Sequence, residues 1–433
     1  MKLSCTGTGD ALFTARFPEA YNTSCQEIAD FIATCDIRIT NLETNLANFT
    51  DLFANSVSGG TWINTPKEYI SDLEKYGFNF YGTANNHAMD YSYSGLLSTI
   101  DTLSEKNLPH AGSGRSLEEA SKPAILNLNG QTVAIFALDT SHRVTSKAGR
   151  ATNVFKARPG VNYLDYETVY TVTEEEAQTL LKIAEKTCIN YTQNMLINTG
   201  FLAAPPPGVF TIGDNKYTTN KGVPLTSCNA KQKARLISQF KQAKEDYDYV
   251  FVQIHCHEND SKCHESPPDF LIDFCHSCID VGVDAIFGGG CHSLRPIEIY
   301  KNKPIFYSLG DFIYQGLVVE ELPADFKEKF NVDINASAYE SLMARAQGGG
   351  VGLHCFKNNY QSVLPKIDFE DGVVKKITLA PLYLNFDRKD EFNGLPAIAT
   401  ENEAKEIYEL ISTLSKPYGT KFSFDGKMIY IEL

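Results

Sequence analysis

FNFYGTANNHAMDYSYSGLLSTIDTLSEKN, residues 78–107, passes through three kinds of chain in one short run. FNFYGTA (78–84) is apolar and aromatic, as a buried strand is. SGLLSTIDTLSEKN (94–107) carries the apolar spacing of an amphipathic helix, with Ser94 read as its cap. Between them stand Asn85, Asn86, His87 and Asp90. A strand that crosses a polar loop into a helix is the building unit of a layered α/β fold. The loop at the carboxyl end of such a strand is where these folds gather ligands and reacting groups. Two amides alone read as a surface turn. An imidazole followed three residues later by a carboxylate asks for a chemical reason.

The same unit recurs on both sides. LSCTGTG leads into Asp10, and DIRITNLE (36–43) alternates like a strand and ends in Glu43. PKEYISDLEKYG (66–77) is helical in period and stops at a glycine, and QTVAIFALDT (131–140) is another buried strand. YDYVFVQIH (247–255) ends at His255, PDFLIDFCHSCIDVG (268–282) is a helix, and VDAIFGG (283–289) runs into a turn and His292. PIEIYKNKPIFYSLGDFIY (296–314) reads as strand, turn and strand. Residues 145–245 are less regular. EEEAQTLLKIAEKT (174–187) and NAKQKARLISQFKQAKED (229–246) are helical around a Pro- and Gly-rich stretch, which marks an insertion expected to wall a substrate site. A helix (401–419) and a hairpin turning at Asp425–Gly426 close the chain, so 396–433 is expected to pack on the core of one domain spanning 1–433.

The chain has 433 residues, 43% hydrophobic and 21% charged, which is ordinary globular composition. A net charge of −14 with scattered Lys and Arg repels phosphate backbones, so nucleic acid is not an expected partner. No apolar run reaches the ~18 residues of a membrane helix, and MKLSCTGTGDALF lacks the apolar stretch of a signal peptide, so a soluble cytoplasmic chain is expected. Eleven cysteines, an odd number spread from Cys5 to Cys355, do not make a disulfide framework. Cys275 and Cys278 form a C-x-x-C pair, but inside a helical apolar pattern rather than on a zinc knuckle. The glycines at 7–9 and 288–290 lack the spacing of phosphate loops.

Asp10, Glu43, the Asn86–His87 pair, His255 and His292 share one feature: each follows a buried strand. Carboxylates, an amide and imidazoles together suit borderline divalent metals. Two such ions can hold an attacking and a leaving oxygen and supply hydroxide at neutral pH.

This order of motifs resembles the CapA family, the bacterial capsule or poly-γ-glutamate synthesis proteins related to calcineurin-like metallophosphoesterases. The pieces that carry the resemblance are GDALF (9–13), NLET (41–44), ANNHAMDYSYSGLLSTIDTL (84–103), AGSGRSLEEASKP (111–123), ARPGVNYL (157–164), HCHEN (255–259) and VDAIFGGGCHSLRPIEIYKNKPIFYSLGDF (283–312). The resemblance implies a metallophosphatase-like four-layer αββα sandwich with an irregular insertion. It implies that Asp10, Glu43, Asn86, His255 and His292 are metal ligands, with Glu43 placed to bridge or to hold a second ion. It makes His87 the catalytic imidazole and Asp90 the carboxylate that orients it. One or two divalent ions are expected, Mn, Fe or Zn ahead of Ca or Mg.

The sequence departs from the family pattern at three places. Relatives carry a histidine-rich turn where this chain reads GGGCH, so one imidazole is missing: either His257 or Cys291 replaces it, or one metal site is weakened and the chain holds a single ion or a harder one such as Ca²⁺. Relatives carry Trp-Gly after the earlier histidine, where Cys256 and His257 stand here. SLGDF replaces the usual SLGNF, which adds Asp311 near the site. The expected function is a metal-dependent hydrolase of a peptide-like γ-glutamyl amide or a phosphoester, acting through activated water. Two alternatives stand beside it: a metal-dependent peptide epimerase exchanging a Cα proton, and a non-catalytic capsule or polyglutamate assembly protein.

Overall fold

The computed structural model describes residues 1–433. Nine strands frame it: β1 (Lys2–Leu12), β2 (Ile37–Leu42), β3 (Phe80–Gly82), β4 (Gln131–Asp139), β5 (Tyr249–Cys256), β6 (Ala285–Gly290), β7 (Asp311–Tyr314), β8 (Gln361–Glu370) and β9 (Val373–Tyr383). Six helices matter here: α1 (Asn22–Ala33), α2 (Ser92–Glu105), α3 (Glu174–Thr187), α4 (Ala230–Asp246), α5 (Asp269–Asp280) and α6 (Glu401–Ser415). The first sheet runs β9–β8–β1–β2–β3, with β1, β2 and β3 parallel and β7 parallel to the end of β1. The second runs β4–β5–β6, all parallel.

β5 is buried at every position and reads YVFVQIHC, the near-continuous apolar run of a parallel strand covered on both faces. The two sheets face each other across one apolar layer, in which Ile39 and Phe80 of the first meet Ile135, Phe251 and Phe287 of the second. Burying each such side chain contributes ~1.5–3 kcal/mol. α1 covers the outer face of the first sheet through Ile28 and Ile32. α4 and α5 cover the outer face of the second through Leu236, Phe240, Phe270 and Phe274. The result is an α/β sandwich with helices outside two facing sheets.

The structure differs locally from the sequence reading. Residues 66–77 do not form one helix: a 3₁₀ turn at Lys67–Tyr69 leads into a short α-helix, Ile70–Glu74. Ser94 does not cap α2, which begins at Ser92; its hydroxyl donates to the Tyr91 carbonyl at 2.7 Å and accepts from the Phe53 amide. The helix expected over 401–419 ends at Ser415 and tightens to 3₁₀ at Lys416–Tyr418. The β8–β9 hairpin has no counterpart in the sequence reading. It turns on Asp371 and Gly372, both at positive φ, as a two-residue hairpin loop requires. Cys275 and Cys278 are buried inside α5, and every cysteine is free.

The insertion is tied down near its start. Asp165 accepts from His142 Nε2 at 2.8 Å, Lys147 Nζ at 2.7 Å and Gln232 Nε2 at 2.7 Å. Burial raises the Asp165 carboxyl, but these three bonds outweigh it and hold it below the carboxylate range. Burial lowers His142, and the Asp165 bond outweighs that in turn, so its pKa lies above 6.5. Asp165 is therefore ionised throughout the neutral range. The imidazolium contribution is complete below pH 6.5 and is lost as pH rises through the folded value. Asp165→Asn should cost ~1–2 kcal/mol at about pH 5.5 and measurably less at about pH 9, read by urea unfolding at both. Equal costs at the two pH values would mean that His142 carries no charge in this pair.

Candidate metal and catalytic site

The carboxyl ends of β1, β2 and β5, the turns after β3 and β6, and the start of β7 converge on one buried cluster. Asp10 and Asp311 are neighbours across the parallel β1–β7 pair. Asp10 Oδ1 accepts from Asn41 Nδ2 at 2.5 Å and faces His255 Nδ1 at 3.2 Å, while its Oδ2 accepts from the Gly290 amide at 2.5 Å. A side chain at Gly289 would come within 2.6 Å of that carboxylate. The glycine run therefore serves close approach to Asp10 rather than phosphate binding.

Glu43 is fully buried, and neither of its carboxylate oxygens has a hydrogen-bond partner. Its Oε1 lies 3.5 Å from His255 Nε2 and 3.9 Å from His87 Nε2. Burial first, and then the charge of Asp10, push its carboxyl up to about 7. Two ligand groups meet at this residue. Glu43, His257 and His292 form one, Asp10, Glu43 and Asp311 the other, and within each the ligand atoms lie within 4.8 Å of one another. His255 Nε2 adds to the convergence, 2.8 Å from Asn86 Oδ1 and 3.1 Å from His257 Nε2. Two imidazole nitrogens at that separation share one proton, so one ring is neutral. His257 is the neutral ring: burial and the neighbouring imidazoles hold its pKa well below 6.5.

Burial lowers His255 and His292, but facing carboxylates reverse this and lift them to about 9 and about 10. In the metal-free chain, protons on these rings balance Asp10, Glu43 and Asp311. Divalent cations replace such protons when they bind. An unpartnered buried carboxylate costs ~1–3 kcal/mol or more, and a cation at Glu43 would remove that penalty. The residues present fit one or two divalent ions. Two oxygens and an orphan carboxylate suit one position, and imidazoles with the same carboxylate suit the other.

His87 stands at the pocket face of the cluster. Its Nδ1 lies 2.6 Å from Asp90 Oδ2, and Asp90 is itself fixed by amides of Gly59 and Ile63, each at 2.8 Å. Consecutive turns, not a helix, bring the two together: Ala88 bonds back to Asn85, and Asp90 back to His87. Burial lowers His87, and Asp90 outweighs it, so the ring keeps its proton more strongly than a free histidine.

Every residue singled out from the sequence except one is thus brought together. The exception is Cys291, which lines the pocket but whose thiol donates to the Ser293 carbonyl at 3.2 Å and joins neither ligand group. Two further residues, not among those expected from sequence, belong to the cluster: Asn41, which orients Asp10, and Asp139, whose buried Oδ2 has no partner beside His255. Both stand at strand ends, so the rule that found the others would have found them.

The cluster opens into a pocket of about 410 Å³ faced by His87, His257 and His292. Its outer walls come from 59–61 and from 345–353, and no residue of 145–245 lines it. The insertion does not wall this pocket. Its last helix, α4, is itself part of the layer outside the second sheet, and its Thr226–Cys228 strand contacts α5. No helix is long and apolar enough to cross a membrane.

Comparison with known proteins gives a consistent set of relatives. The family model described as bacterial capsule synthesis protein PGA_cap matches residues 4–316. An uncharacterized protein of Sinorhizobium fredii, y4sH, is 29% identical over 443 residues, which covers 98% of this chain and 92% of that protein. The PGA biosynthesis protein CapA of Bacillus subtilis is 26% identical over 256 residues, covering 58% of this chain and 47% of CapA. A probable polyglutamine synthesis accessory protein of Mycobacterium tuberculosis is 25% identical over 239 residues, covering 54% of this chain and 45% of that protein.

Proposed function

Because this chain belongs to the bacterial capsule synthesis protein family PGA_cap, and the match spans the whole cluster from Asp10 to Asp311, we propose that the cluster is the centre of a metal-dependent hydrolase. Its substrate would be a peptide-like γ-glutamyl amide or a phosphoester. The observation that carries this reading is Glu43, buried without a partner at the vertex shared by two ligand groups.

Divalent ions held there would supply Lewis-acid activation of water and of the substrate oxygen. The chain supplies the rest. Asp90 fixes the His87 ring through Nδ1, so the charged ring carries its transferable proton on Nε2, 3.9 Å from Glu43 Oε1. His87 then gives that proton to the departing nitrogen or oxygen, and Asp90 stabilises the charged ring before transfer. Burial of the cluster excludes bulk water and strengthens each of these interactions. Such proton transfer is worth ~10²–10⁴ in rate.

One observation favours a second reading. His87 and His257 both line the pocket, so if metal occupies only the Asp10, Glu43 and Asp311 group, His257 stays free as a second imidazole beside His87. That pair suits removal and return of a Cα proton, as in epimerisation.

The test uses the chain loaded with Mn²⁺, given γ-glutamyl peptides and aryl phosphates in ¹⁸O-labelled water and in D₂O. The hydrolase reading expects cleavage with label in the new acid, reduced at least ~10²-fold in His87→Asn. Deuterium at Cα without cleavage would move epimerisation ahead. Neither product from the metal-loaded chain would leave the hydrolase reading without support and favour an assembly role.

A further inference from the structure

We infer that Arg345 forms an anion-binding subsite of the pocket, so that the molecule recognised there carries a carboxylate or phosphate set apart from the reacting bond. This rests on reading the pocket as a substrate site. Arg345 ends the helix Ala338–Arg345 and lines the same pocket as His87, His257 and His292. Tyr314 lines the pocket as well, with its ring centroid 5.8 Å from that of His292.

The guanidinium is half-buried and has no carboxylate within 4.0 Å. It donates to the Thr61 hydroxyl and stands with Cζ 5.7 Å from the Phe326 ring centroid. Glu340, the acid nearest to it in its own helix, is held by the Ser337 amide and hydroxyl at 2.8 and 2.7 Å in a capping box. The chain carries 53 acidic and 39 basic side chains, so acids to pair with are abundant. An arginine held on a neutral hydroxyl and an aromatic ring, at a pocket wall, keeps its fork of donors for something outside the chain. Burial lowers its pKa, the direction expected of a charge without a counter-ion. A planar guanidinium matches carboxylate and phosphate through paired hydrogen bonds, which neutral groups cannot reproduce. With Arg345 and His87 lining one pocket, an anion at Arg345 would fix which bond of a longer molecule reaches His87.

The test is calorimetric titration of the full chain, stripped of metal with EDTA, with glutarate, its uncharged diamide and phenyl phosphate. The readout is affinity rather than turnover, so it stands whether or not the chain hydrolyses anything. Wild type should bind at least one of the two anions about 10-fold more tightly than the diamide, and Arg345→Met should erase that preference. Arg345→Lys, which keeps a charge but loses the fork, should fall between. A preference for glutarate identifies a carboxylate and one for phenyl phosphate a phosphate; because imidazoles line the same pocket, either supports the subsite when an Arg345 variant weakens it. Equal affinities of wild type for anions and diamide would overturn it, and so would an Arg345→Met variant that keeps the wild-type preference. If Arg345→Met does not fold, the wild-type comparison and Arg345→Lys decide: an unchanged preference in the lysine variant overturns the subsite.

Discussion

Glu43→Gln is expected to leave the chain folded and to deprive both ligand groups of metal at once. Glu43 is the residue common to the two groups, and neither of its oxygens has a hydrogen-bond partner in the chain. Elemental analysis of the Mn²⁺-loaded wild type should find about two ions per chain if both positions fill. Affinity in the variant should fall by more than the ~10–100-fold typical of losing a residue behind a ligand, because a ligand itself is lost. Asp311→Asn is the control. Asp311 belongs to one group only, so its loss should leave about one ion bound.

The metal-free proteins should show the reverse order of stability. Burial raises Glu43 from 4.5 to about 7, so the metal-free folded chain holds a proton that the unfolded chain has already released. Stability from this group is therefore present at low pH and falls as pH rises from 4.5 through about 7. At about pH 8 the metal-free glutamine variant should be the more stable of the two, by chemical denaturation. A metal-free variant less stable than wild type at that pH would mean that the His255 and His87 rings, 3.5 and 3.9 Å from Glu43 Oε1, already outweigh the cost of burying the carboxylate.

How much of this could be read from sequence depends on the residue. Asp10, Glu43, Asn86 and His255 were accessible because each follows a run of strand period, and strand ends in a layered fold point to one edge. Strand alternation, carried one residue past the end of β5, also explains why His257 and not Cys256 shares the site with His255. Residues two apart in a strand face the same way, and Cys256 turns outward into the packing beneath α5. The same logic could not choose for Cys291. Gly290 and His292 both take positive φ, so the chain twists out of strand geometry there and alternation no longer says which side chain points inward.

Other features depend on contacts distant in sequence. β8 pairs with β1 across more than three hundred positions, and Leu3↔Phe369 is one such partnership. No local pattern announces it. Arg345 reaches the pocket only because 345–353 folds back over residues near Thr61. Around Arg345 the sequence offers no motif, only a glycine-rich run that reads as loop. The fold class was legible from periodicity, whereas the pocket walls were not.

Gly9→Ala carries the largest expected loss of stability. A Cβ at Gly9 would sit 1.6 Å from the Gly310 carbonyl oxygen, inside any van der Waals contact. The obstructing atom is backbone, so no side chain can swing aside. Gly310 cannot retreat either: it is at φ 76°, and a Cβ placed on it would itself meet the Gln361 carbonyl at 2.6 Å. β1, β7 and β8 are locked at this crossing, where the Asp10 amide donates to the Gly310 carbonyl at 3.3 Å. Relief requires β1 and β7 to separate, which removes the pairing that sets Asp10 beside Asp311. A cost of ~4 kcal/mol or more, or failure to accumulate as soluble protein, is expected from urea unfolding. Gly60→Ala is the matched control: nothing lies within 4 Å of its Cβ, and it should stay within about 0.5 kcal/mol of wild type. If Gly9→Ala folds, it should also bind less metal than wild type, because the strands that carry two carboxylates of one ligand group have moved apart. An unchanged unfolding midpoint together with unchanged metal content would show that the crossing yields freely, and that the spacing of Asp10 and Asp311 is set elsewhere.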